Sequence, residues 1–60
     1  MIRGKVTSLT GGPWVEFVGF PGDSVGPLDA VASVGSLAIG QRVLVADLGG
    51  GDYVIVGRLP

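Results

Sequence analysis

Apolar and polar positions along the chain alternate over short stretches, and glycine or proline closes each stretch before a helical period could establish itself. Residues 2–9 set Ile2, Gly4 and Val6 against Arg3, Lys5 and Thr7, the pattern of a strand with one face covered. Thr10-Gly11-Gly12-Pro13 then predicts a turn, and residues 14–20 predict a second strand closing a hairpin with the first. Pro21-Gly22-Asp23 ends that strand, because proline presets φ and glycine accepts a positive φ. Along residues 14–20, alternation places Trp14 and Phe20 on one face and Phe17 on the other.

A third, weaker strand is expected over residues 28–33, after Gly26-Pro27. The segment Asp29-Ala30-Val31-Ala32-Ser33 also suits one helical turn, but it is too short to nucleate a helix alone and Gly35 follows closely. Residues 41–48 and 53–59 form the clearest pair, a hairpin joined by Gly49-Gly50-Gly51-Asp52. Here both faces are apolar for part of their length: Val43 and Val45 oppose Leu44 and Ala46, while Val54 and Val56 oppose Ile55 and Leu59. Strands apolar on both sides expect cover on both sides. Gly4, Gly19 and Gly57 fall inside the expected strands, where glycine often marks a bend or bulge. The expected fold is therefore all-β, a single domain of five short strands over residues 1–60, the pattern of a small sandwich or barrel.

Size and composition sharpen this picture. A domain of about 60 residues buries only about 60% of the surface its unfolded chain exposes, so such chains usually lean on disulfides, a metal or partners. The sequence has no cysteine and no histidine, which removes disulfides and thiolate or imidazole metal sites and leaves partners. Hydrophobic residues make up 47% and charged residues 15%, against about 25% charged in average soluble domains, so apolar surface is expected to stay exposed and to serve association. No apolar run reaches the roughly 18 residues of a membrane-spanning helix, and MIRGKVTSL lacks the continuous apolar stretch of a secretory signal. No membrane partner is expected.

Candidate chemistry is sparse. Lys5 is the sole lysine, and Ser8, Ser24, Ser33 and Ser36 have no evident base, so no catalytic residues are assigned and an enzyme is not expected. Glu16, Asp23, Asp29, Asp47 and Asp52 are dispersed singly without the spacing of a calcium loop, and Asp23 and Asp52 are read as turn-capping residues. Gly49-Gly50-Gly51 lacks the lysine and helix of a phosphate-binding loop. No metal and no cofactor are therefore assigned.

Small barrels also bind single-stranded nucleic acid through stacked aromatics and a basic groove. Trp14, Phe17, Phe20 and Tyr53 supply the rings, but a net charge of −1 and only four cations, Arg3, Lys5, Arg42 and Arg58, argue against that partner. The four aromatic residues are read instead as protein-interface candidates, since aromatic side chains are enriched among interface anchors.

At Gly40-Gln41-Arg42-Val43-Leu44-Val45, followed by the glycine turn and Tyr53-Val54-Ile55-Val56-Gly57-Arg58-Leu59, the chain resembles small OB-like β-barrel structural proteins of tailed bacteriophages. The resemblance is clearest from residue 36 to residue 59 and weaker over residues 4–9. It implies a single small five-stranded OB- or SH3-like barrel, and a virion subunit assembled in the host cytoplasm, part of a tail, a head-to-tail connector or a capsid decoration. Its partners would be phage structural proteins, with homo-oligomers or symmetric arrays expected.

Overall fold

The alternation at the start of the chain becomes strand β1, Ile2–Ser8, in which Gly4 and Val6 are buried while Arg3 and Lys5 face solvent. The computed structural model describes all 60 residues. Strand β2, Trp14–Phe17, turns Val15 and Phe17 inward. Two strands of two residues follow, β3 at Ser24–Val25 and β4 at Asp29–Ala30, and after them a single 3-10 turn at Ala32–Val34. The long hairpin consists of β5, Arg42–Gly49, and β6, Asp52–Arg58, with Val43, Val45 and Ile55 inward. Gly49, Gly50 and Gly51 all take positive φ at its tip, a run of backbone that only glycine adopts without strain.

The fold is a small all-β domain built on one six-stranded mixed sheet in the order β3-β2-β1-β5-β6-β4. Neighbours are antiparallel except β4 and β6, which run parallel with Asp29 beside Val54 and Ala30 beside Ile55. Five strands were expected and six are present. The second ends at Phe17 and not at residue 20, because the chain reverses at Val18-Gly19 and the Phe20 N–H returns to the Phe17 carbonyl at 3.1 Å. The region 28–33 divides between its two readings: Asp29–Ala30 pairs as a strand, and the residues after it form the helical turn that buries Val34.

Strands β3 and β4 lie at opposite borders of the sheet, yet only Gly26, Pro27 and Leu28 separate them in sequence. The Leu28 N–H donates to the Pro13 carbonyl at 2.8 Å and ties this bridge to the start of β2. Such a connection requires the sheet to bend until its borders approach. A flat sheet would be only about 10 Å thick, whereas the shortest dimension of this molecule is 22 Å. Inside the bend lies one core of seven residues: Val6, Val15, Phe17, Val34, Val43, Val45 and Ile55.

The strand glycines have different physical roles. A Cβ on Gly4 would fall on Val15 Cγ1 and 3.0 Å from the Glu16 carbonyl oxygen, so Gly4 permits close approach of β2 and is not a bulge. Gly57 meets nothing within 4 Å and follows the irregularity between β5 and β6, and Gly19 belongs to a turn outside the strands.

Candidate interaction surface

The four aromatic candidates occupy three kinds of position. Phe20 is 63% exposed, in the turn beyond β2, where strand alternation no longer governs its direction. Trp14 and Tyr53 are half-buried. The Trp14 indole N–H donates to the Thr10 carbonyl at 2.9 Å, and its ring lies against Gly26, where any Cβ would come within 3.0 Å of Trp14 Cδ2. Phe17 belongs to the core, at 8% exposure, and its ring packs on that of Tyr53. The free aromatic surface is thus Phe20 with parts of Trp14 and Tyr53.

Aliphatic residues supply more exposed apolar surface than the rings do. Val18, Ile39 and Leu48 are each 67% exposed, and each directly precedes a glycine of positive φ, Gly19, Gly40 or Gly49. Reading the strands alone missed them. The available signal was an apolar residue immediately before a turn glycine, where the reversing chain carries its side chain outward. The outer face of the long hairpin adds Leu44, Ala46, Val54 and Val56, all half-buried, so the second apolar face expected there is present without full cover.

Charge is distributed unevenly. Arg3, Lys5 and Arg42 line an open groove of about 510 Å³ on the outer side of β1, β2 and β5. Lys5 stands between Glu16 on β2 and Arg42 on β5 in the strand register. The Glu16 carboxylate in this groove accepts the Gly22 N–H at 2.9 Å, and Val18 adds an apolar wall. At the far end of β5 the hairpin tip carries Asp47 and Asp52 around Leu48. Asp47 Oδ1 accepts the Gly49 N–H at 2.8 Å. The turn-capping bonds expected of Asp23 and Asp52 are made instead by Glu16 and Asp47, whose oxygens reach the backbone of the turns beside them.

The hydroxyls of Ser24 and Thr7 share a hydrogen bond of 2.8 Å, and that of Ser8 meets Thr10. These contacts bind strand to strand and brace a turn. No three acidic side chains gather where they could hold a metal ion, and no helix is long and apolar enough to cross a membrane. Comparison with known proteins finds no matching family model, no similar curated protein and no similar solved structure.

Proposed function

We propose that the chain is a non-enzymatic structural subunit of a tailed-bacteriophage virion, a tail, connector or capsid decoration component that acts by packing against other protein surfaces. In this reading its bent sheet is an incompletely closed OB- or SH3-like barrel. The observation that carries the proposal is a balance of apolar residues. Seven large hydrophobic residues (Met1, Leu9, Val18, Phe20, Val31, Ile39 and Leu48) are exposed, as many as form the core. Surface of that kind on so small a domain fits association with other proteins.

The particle provides the test. The coding sequence should lie among capsid, portal and tail genes, and purified virions should contain the chain at a fixed copy number. A coding sequence among unrelated genes together with virions free of the chain overturns the proposal.

The clustering of Arg3, Lys5 and Arg42 favours a second reading, a single-stranded nucleic-acid module. Its weakness lies in the same groove, where the one lining aromatic residue is the core residue Phe17. An oligonucleotide titration at low salt should register no binding. Affinity that falls steeply as salt rises would favour the nucleic-acid reading.

A further inference from the structure

The basic groove and the acidic hairpin tip lie at opposite ends of one rigid strand. From Arg42 to Asp47 along β5 is roughly 17 Å at about 3.3 Å per residue, so a copy cannot lay its own tip in its own groove. The tip is narrow: two paired strands end in Gly49-Gly50-Gly51, with no side chain beyond the backbone ribbon. It presents two carboxylates flanking Leu48, which is 67% exposed. The groove presents three cations, of which Arg42 also donates to the Pro60 carbonyl at 2.9 Å, against one carboxylate, that of Glu16, already engaged by the Gly22 N–H, and its wall includes Val18, equally exposed.

We infer that the partner of the groove is the hairpin tip of a second copy of this chain, docked head to tail, with Asp47 and Asp52 against Arg3, Lys5 and Arg42 and Leu48 against Val18. The inference rests on the packing-subunit reading and gives it a geometry. Head-to-tail contacts use two different patches, so each copy still offers a free tip and a free groove. The assembly grows into a ring if the rotation between copies closes and into a filament if it does not. The total surface is only 3720 Å², so one patch of the standard size of about 800 Å² takes more than a fifth of it.

Two variants test the geometry. R3E with R42E reverses the groove and leaves Lys5 facing Glu16. D47N with D52K reverses the tip and keeps an amide oxygen at position 47 to accept the Gly49 N–H. Circular dichroism and thermal unfolding establish that each is folded, and sedimentation velocity up to about 1 mM protein reads association. The wild-type chain should associate, at least tenfold more weakly as salt rises from about 0.05 M to about 0.5 M, because screening shortens the reach of exposed charges below about 10 Å. Each folded variant alone should be monomeric, and their equimolar mixture should associate again, since each supplies the patch the other has lost. Three outcomes overturn the inference: a wild-type chain monomeric throughout, a variant that associates alone as wild type does, or a mixture of folded variants that stays monomeric. None of these bears on recovery of the chain from virions, which reads contacts with all particle proteins, so the two proposals fail separately.

Discussion

The rings of Phe17 and Tyr53 meet with centroids 5.0 Å apart and planes tilted by 59°. Phe17 is on β2 and Tyr53 on β6, and two strands, β1 and β5, lie between them in the sheet. Side chains three strand spacings apart on a flat sheet would stand roughly 14 Å from one another. Their contact across the inner face measures how far the sheet curls.

That contact is open to a double-mutant cycle. F17L and Y53L should each destabilise the fold by up to about 1.5 kcal/mol, and a tilted aromatic pair adds a coupling of roughly 0.5–1.5 kcal/mol. Chemical denaturation of the two single variants and the double variant reads the coupling. Strictly additive losses would mean that the ring contact contributes no coupling to stability.

Two glycines should respond in opposite directions. G4A drives a methyl group into Val15 and the β2 backbone and should cost about 1–3 kcal/mol. G57A meets open space at an ordinary φ and should be neutral or stabilise by up to about 1 kcal/mol through the unfolded chain. Thermal unfolding of both variants checks the order, and equal effects would contradict the placement of β2 over Gly4.

The Asp47 carboxylate holds the hairpin tip through the Gly49 N–H. D47A should lower stability by about 1 kcal/mol, while D47N, which keeps an acceptor oxygen, should lie within a few tenths of wild type. If urea midpoints place the two variants together, the bond contributes nothing to the turn.

For the packing function, Val18 and Phe20 are the informative positions. Both project from a turn, so V18S and F20S should alter monomer stability by no more than about 0.5 kcal/mol. At an interface anchor the same truncation costs about 2 kcal/mol, near 30-fold in affinity. Comparing unfolding with sedimentation separates the two quantities; unchanged association in both variants would remove this turn from the interface.

Trp14 is the one tryptophan and is half-buried. Its fluorescence should move to shorter wavelength when the chain packs against its partners in the virion, because an anchor ring loses its remaining water. An emission maximum that does not change between monomer and assembly would take Trp14 off the list of anchors.

Strand β1 was legible in the sequence because a period of two sets Val6 on a covered face, and β5 and β6 because two apolar runs flank a glycine turn. The end of β2 was not, since Val18 and Phe20 continue the apolar run after the backbone has turned away. Strands of two residues such as β3 and β4 carry no period at all; long-range pairing creates them, and only the bend of the whole sheet reveals why they exist. Of the four aromatic candidates, Phe17 could not be assigned to the interior until Tyr53 was placed opposite it. The groove was equally hidden, because Arg3, Lys5 and Arg42 come together only through the register of β1 with β5.

Gly26, Pro27 and Leu28 carry the chain from one margin of the sheet to the other. They work as a latch: with that link cut, β3 would be held only by its pairing with β2 and β4 only by its pairing with β6, and nothing covalent would keep the two margins together.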